Sequence, residues 1–376
     1  MEDRPTVAHL VSPYLFLTGS WIHSQLLHAS RTRPIVLTQG TENRALFPFE
    51  PVYDMSPNTR GLRKPLYLAS KYFLGRYPEK PYREILDRES ARLLHAHLGW
   101  EGARTIGLAD RPHRPFVVSF YGRDATLLAR HPYWKTLYRR LFRRADRVLA
   151  EGSYMAGTLR SIGAPPDRVR VVHLGVDPSA FPFRERTPSE SVVGLISGSF
   201  REKKGILYGL EAFARIAGDH PRARLRIIGD GPLRPQIEER SRRSDLQGRV
   251  DLLGYRPYPD YLDELSRAHF LLAPSVTARD GDSEGGAPVC LLEAQAMGVP
   301  IVATTHCDIP EVTRPDESAF LAPERDVPEL ARKLDTLLRD PSRWPAMGRA
   351  GRAHIEAEFD IREQVRKMES VYREIL

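Results

Sequence analysis

Cysteine is almost missing from this sequence: Cys290 and Cys307 are the only two in 376 residues, and they form no CxxC pair. That excludes a disulfide framework and a cysteine zinc site, and it fits a reducing compartment. Long hydrophobic runs are missing too. The apolar stretch from Val11 to Ile22 is broken by Ser12, Pro13, Thr18 and Ser20, whereas a bilayer-spanning helix needs about 20 apolar residues. The start, Met1-Glu2-Asp3-Arg4, lacks the basic opening of a secretory signal. The expectation is a cytoplasmic protein, peripheral at most on the inner face of the cell membrane. No low-complexity tract or short-period repeat is present, and no group of His, Asp and Glu shows metal-ligand spacing. The acidic loop Asp280, Asp282, Glu284 comes nearest to suggesting a cation site.

What is present is an ordinary globular composition, 41% hydrophobic and 28% charged, on a chain long enough for two domains. Charge is uneven. Residues 1–185 hold 28 Lys and Arg against 17 Asp and Glu, a net of +11, while residues 186–376 hold 28 against 31, a net of −3. Such an excess points to an anionic partner or is simply an Arg-rich soluble surface. Arg60, Arg63, Lys64, Lys71, Arg76 and Lys80 interleave with Tyr67, Tyr72, Phe73 and Tyr77, and Arg139, Arg140, Arg143 and Arg144 add a second cluster. Docking on an anionic membrane surface is the expectation drawn from them, since aromatics suit the interface and each basic residue contributes about 1 kcal/mol there. Nucleic acid is not expected, because the basic half lies opposite the best nucleotide-site motifs.

Short apolar, β-branched runs alternate with helical patterns throughout. The first half suggests strands near Val7–Val11, Ile35–Leu37, Leu93–His97, Phe116–Phe120, Val148–Leu149 and Val169–His173. The second half suggests Val192–Ile196, Leu225–Ile228, Val250–Leu253, Phe270–Ala273, Ile301–Ala303 and Phe320–Leu321. Continuous apolar strands alternating with helices mean parallel sheets covered on both faces. Around Pro178–Ser191 the pattern lapses into Pro, Ser and charge, and a fresh strand follows. The reading is an α/β chain of two doubly wound domains, 1–185 and 186–376, facing across a cleft. Val365, Met368, Val371 and Tyr372 fall at helical spacing in 361–376, a stretch that either ends the second domain or crosses back to the first.

In open α/β sheets ligands bind beyond the carboxyl ends of the strands, so function should lie in those loops. The densest signal is PSVTARDGDSEGGAPVCLLEAQAMGVPIVAT, residues 274–304. It reads as strand end, acidic glycine-rich loop, helix and strand, with Pro288 in the first helical turn. The helix start presents N–H groups suited to phosphate or sugar oxygens. Glu293 on that helix is either an outward surface residue, the commoner fate of glutamate, or an acceptor for a diol such as ribose. SGSFREKKG, residues 197–205, follows a strand and places Arg201, Lys203 and Lys204 where a diphosphate could sit; its alternative is a solvated basic loop. His95 and His97 share one face of a strand; they are packed and hydrogen-bonded, or His97, nearer the strand end, reaches the cleft.

These strings, with ADRVLAEGSYMAGTLRSIGAPPDRVRVVHLGVDPSAF (145–181), RIIGDGP (226–232) and LLGY (252–255) in order, resemble glycosyltransferase family 4, the retaining GT-B enzymes. EGGAPV (284–289) and HCDIPEV (306–312) look like its exopolysaccharide and colanic-acid-type members. The resemblance implies a nucleotide-sugar donor, a saccharide or lipid-linked acceptor, and metal-independent transfer with no cofactor. It makes Glu293 the acceptor for the donor's ribose hydroxyls and Lys204 the grip on its diphosphate. Gly286, Ala287, Pro288 and Val289 would hold donor oxygens, and Gly19 resembles the glycine turn that approaches the diphosphate. Asp124, in FYGRDA, matches a turn facing the acceptor, with His97 on the same side.

Three departures stand out. Ser199 follows Gly198 where the family commonly has Gly-Arg, which leaves Arg201 to supply a guanidinium. Tyr121 stands where histidine is frequent, and tyrosine is uncharged near neutral pH. Eight residues, not the usual seven, separate Glu284 from Glu293, so Gly285 occupies the expected position. The expectation is that Glu284 still serves the donor sugar, turned inward by its flexible glycines. Two other classes fit the scaffold: a nucleotide-sugar epimerase, and a non-catalytic subunit that activates a partner transferase.

Overall fold

The computed structural model describes residues 4–17, 19–56, 64–73, 75–110 and 112–376. By contacts the chain forms two compact units, Met1–Gly175 with Ile361–Leu376, and Val176–Asp360. Each is built on a wholly parallel sheet.

In the first unit the strands are β1 (Thr6–Leu10), β2 (Arg33–Thr38), β3 (Val52–Asp54), β4 (Ala91–His97), β5 (Phe116–Ser119), β6 (Arg147–Ala150) and β7 (Val169–Val171), in the spatial order β3-β2-β1-β4-β5-β6-β7. β3 escapes the sequence reading. Three half-buried or exposed residues at a sheet edge leave no apolar run to notice. One sheet face packs Leu10, Leu94, Phe116 and Val148 against its helices. The other lays Val7, Leu93, Val117 and Leu149 under the helix Ile361–Arg373, which supplies Ile361, Val365, Met368 and Tyr372. Those four recur at one helical face, and burying each stabilises by about 1.5–3 kcal/mol. Glu369 fastens the same helix by accepting the N–H groups of Ser30, Arg31 and Thr32 at 3.1, 2.8 and 2.9 Å.

The second unit holds β8 (Val192–Ser197), β9 (Ala223–Ile228), β10 (Val250–Gly254), β11 (Phe270–Ala273), β12 (Ile301–Thr304) and β13 (Ala319–Ala322), in the order β10-β9-β8-β11-β12-β13. Ile196, Leu225, Phe270 and Val302 meet Phe213, Leu334 and Trp344 from the helices in its core. The residues just before the compositional lapse and its first half belong to this unit. Val176 donates to Phe359 O at 3.0 Å, Arg184 N to Met297 O at 3.3 Å, and Arg352 reaches Phe181 O at 2.9 Å. Composition near residue 185 marks irregular backbone, whereas these bonds decide which unit holds it.

Arg60 and Arg63, and the side chains of Lys64, Tyr72 and Phe73, lie outside the described residues. Tyr67 and Tyr77 are buried and stacked on each other, so they are core residues and not interface aromatics. Arg144 is held by Asp110 and Asp146, while Arg139, Arg140 and Arg143 are exposed. No helix among the described residues is long and apolar enough to cross a membrane.

Candidate active site

In the second unit β8 is flanked by β9 on one side and β11 on the other, the switch point where open parallel sheets bind ligands. The loops leaving β8, β11, β12 and β13 there carry Lys204, Glu284, His306 and Glu324 in turn. Lys204 sits in a short 3-10 turn ended by Gly205, whose φ is +61°. A Cβ on Gly205 would lie 1.7 Å from Pro274 O, so only glycine lets the β8 and β11 loops approach this closely.

Lys204 Nζ lies 2.9 Å from Glu284 Oε1 and donates to Oε2 at 3.0 Å. Ser275 Oγ donates to Oε1 at 2.8 Å. The side chain of Glu284 is only 7% exposed, so it does not point to solvent. Burial alone would raise its pKa, but the charges of Lys204 and Lys203 hold it below the usual carboxylate range. Lys204 answers in kind: burial would lower its pKa, and Glu284 leaves it raised. Both stay charged. Lys203 is tied to Asp282 and Ser283 O at 3.3 and 3.0 Å. Arg201 and Ser199 are exposed.

The helix after the glycines runs Val289–Ala296, with Pro288 as the residue that caps it, one position ahead of the first helical turn. Gly286 and Pro288 are buried, and Ala287 and Val289 half-buried. Glu293 overturns the surface reading. It is 3% exposed, and the hydroxyls of Tyr258 and Tyr261 donate to its two oxygens at 2.8 and 2.6 Å. The helix is apolar nearly all round, so periodicity could not show that its one carboxylate faces inward. Burial raises the pKa of Glu293, and the two phenols oppose that rise. Tyr255 and Tyr258 remain exposed.

The first unit gathers a different set. His97 is fully buried, so the packed and hydrogen-bonded alternative is the one seen. Its Nε2 lies 2.9 Å from His9 Nδ1 and its Nδ1 lies 2.7 Å from the Tyr121 hydroxyl. His95 lies 2.7 Å from both Tyr372 Oη and Ser119 Oγ. Sequence spacing missed His9, because β1 joins β4 only through the sheet, where His9 pairs with His95. The three rings are close enough to hold a metal ion. As they stand, their nitrogens bond to one another, to the phenols of Tyr121 and Tyr372, and to Ser119. Burial lowers all three pKa values, that of His9 to about 3. This is a neutral hydrogen-bonded network.

Asp124 is fully buried. Its oxygens accept Gly99 N–H at 2.8 Å and Tyr121 N–H at 3.0 Å, which fixes the Tyr121 turn to the start of the helix Gly99–Asp110. Burial raises its pKa to about 6. Gly19 immediately precedes the helix Ser20–Leu27, and a Cβ there would press on Phe16 O at 3.0 Å. A cavity of about 710 Å³ beside Tyr53, Met55, Tyr67 and Ile85 touches none of these candidate residues.

Two Rossmann-like parallel-sheet units, the second carrying this site, define the GT-B class of fold. Residues 4–180 match the family model Glycosyltransferase Family 4, and residues 191–340 match Glycosyl transferases group 1. The chain is 32% identical over 242 residues to the putative colanic acid biosynthesis glycosyltransferase WcaL of Salmonella typhimurium, covering 64% of this chain and 59% of that protein. It is 31% identical over 277 residues to the amylovoran biosynthesis glycosyltransferase AmsK of Erwinia amylovora, covering 72% and 67%. The chain thus spans about three fifths to two thirds of the length of these curated relatives. In fold it is similar to sucrose-phosphate synthase of Thermosynechococcus elongatus, with a TM-score of 0.76, 19% identity and 99% of each chain covered. Anabaena HepE, solved in complex with UDP and glucose, gives a TM-score of 0.78 at 17% identity, covering 99% of this chain and 100% of that one. The chain belongs to glycosyltransferase family 4.

Proposed function

We propose that this chain is a retaining glycosyltransferase of exopolysaccharide assembly, moving a sugar from a nucleotide-sugar donor to a saccharide or lipid-linked acceptor. The observation that carries the reading is the pairing of half-buried Lys204 with the Glu284 carboxylate at the switch point of the second sheet. An ammonium has three donors, so Lys204 can serve a diphosphate while keeping Glu284. Breaking the bond from the sugar to the diphosphate builds negative charge on the leaving phosphate. Lys204, the start of the Val289–Ala296 helix and exposed Arg201 supply fixed positive charge for it, with no call on a metal or cofactor. Glu293, between two phenols, receives the ribose diol, and Glu284 faces the sugar. The WcaL and AmsK names support the polysaccharide context, and HepE's UDP and glucose support the donor class. Exposed Arg139, Arg140 and Arg143 favour an anionic membrane surface for a lipid-linked acceptor.

A thermal-shift screen of nucleotide sugars tests this. A donor at 100 times its Kd should stabilise by about 2.7 kcal/mol, and turnover should require an added acceptor. A donor converted to its epimer without acceptor would make the chain an epimerase. Tight binding without turnover on any acceptor extract would make it a non-catalytic subunit.

A further inference from the structure

The HCDIPEV stretch has a place in the site that the reading above leaves unused. His306 is fully buried at the end of β12. Its Nδ1 lies 2.6 Å from Glu324 Oε1, and Glu284 N–H points at its Nε2 from 3.2 Å. Glu324 and the Glu284 amide fix the tautomer, and Cys307 Sγ, also 3.2 Å from Nε2, can donate to the same lone pair. The carboxylate can only accept and the amide can only donate, so Nδ1 carries the proton and Nε2 presents a lone pair. Glu324's other oxygen accepts Thr277 N–H at 2.7 Å, and Asp308 N–H donates to Gly286 O at 3.2 Å. The 277–286 loop is therefore gripped near its start by Glu324, at Glu284 by His306, and at the second glycine by Asp308.

We infer that His306, oriented by Glu324, is the positioning residue that turns the displaced Glu284 toward Lys204. The loop needs such an anchor. Gly285, at φ +80°, and Gly286 restrict the backbone too little to aim the preceding side chain. An amide held from outside the loop fixes the Cα direction of Glu284, and Ser275 and Lys204 then take its carboxylate. The inference rests on the proposed role of Glu284 for its effect on turnover, but not for its geometry.

The test therefore has two arms. In a long-range 1H–15N spectrum of the wild-type protein, His306 should show a protonated Nδ1 and an unprotonated Nε2. Glu324→Ala should shift it to a mixture of tautomers. A wild-type Nε2–H tautomer would overturn the inference whether or not the protein transfers sugar, and it remains readable if variants fold poorly. In the second arm, His306→Leu should lower turnover roughly ten-fold or more, while affinity for the nucleoside diphosphate that wild type binds best among UDP, GDP and ADP changes about three-fold or less. His306→Gln, which keeps a donor and an acceptor, should recover part of the loss. Equal turnover in folded His306→Leu and wild type would also overturn it. Absence of turnover in wild type would instead count against the proposed function, leaving the tautomer to decide the clamp.

Discussion

The two units bury polar groups at the same structural place, the carboxyl ends of parallel strands, and treat charge in opposite ways. In the first, three imidazoles, two phenols and a serine form a network from which burial has driven the charge. In the second, Lys204 and Glu284 keep theirs, because each supplies the other's countercharge at 2.9 Å. Desolvation acts on both sets. The outcome is decided by whether an opposite charge lies within a few ångströms. A neutral end suits hydroxyl recognition, and a charged end suits a diphosphate.

Acid should affect the two units most unequally. The three histidines have folded pKa values below their unfolded value near 6.5. Their stabilising contribution is present above that pH and is lost as pH falls through the folded values, because the unfolded chain then binds up to three more protons. Glu101 and Asp124 act the other way. Burial lifts them to about 7 and about 6, so the folded state gains their protons first. Between about pH 6 and 4.5 the net difference is about one proton, or about 1.4 kcal/mol per pH unit, steepening to about 4 kcal/mol per unit once both carboxyls are protonated in either state. Glu284 and Glu324 have lowered values, so the second unit should lose their contribution only below about pH 4.5, while His269, lowered by burial, and Glu293, raised by burial, act in opposite directions above it. Fluorotryptophan NMR during urea unfolding separates the units, since Trp21, Trp100 and Trp134 report on the first and Trp344 on the second. Glu101→Gln should steepen the loss in the first unit. Equal shifts of all four signals between pH 7 and 5 would refute the contrast.

A smaller effect should follow from removing one member of the charged pair. Lys204→Met leaves the Glu284 carboxylate buried without its cation, a change that costs about 3–5 kcal/mol in comparable sites. Adding Glu284→Gln removes the stranded charge and should restore most of that stability without restoring activity. The Trp344 signal in urea reads both variants. A single substitution costing under about 1 kcal/mol, or a double that recovers nothing, would mean that the pair is solvated.

Which parts of this could be read in the sequence follows from range. The twelve apolar runs announced themselves because strands buried on both faces need continuous hydrophobicity, and β3 did not because an edge strand needs little. Lys204, Glu284 and Glu293 stood out through loop position and family resemblance. Their partners did not: Tyr258 and Tyr261 reach Glu293 from another helix, Glu324 reaches His306 from another strand's loop, and His9 meets His97 across the sheet. The sign of exposure at Glu293 was also illegible, since an apolar helix with one carboxylate has no polar face to place it on.

The smallest expected effect concerns the neutral network at its edge. Tyr121 stacks almost parallel to His97, with ring centroids 6.0 Å apart, and shares a 2.7 Å hydrogen bond with it. A chain running His9, His97, Tyr121 has one hydrogen in each link only if every donor points the same way, so losing the terminal hydroxyl releases the order of the whole chain. Tyr121→Phe keeps the ring and leaves one buried imidazole nitrogen unpaired, at a cost of about 1–2 kcal/mol. Burial drives the phenol's pKa far upward, so it is neutral throughout the working range, and the loss should not vary between pH 7 and 9. A double variant with His97→Phe should cost less than the two singles summed, since both remove the same bond. Activity then separates structure from chemistry. If the hydroxyl only completes the network, turnover per folded molecule stays at the wild-type level. If it meets an acceptor hydroxyl, turnover falls by more than the stability change explains, and acceptor KM rises while donor affinity holds. A fall in donor affinity instead would show that this neutral end also serves the donor, and the division of labour between the two units would be wrong.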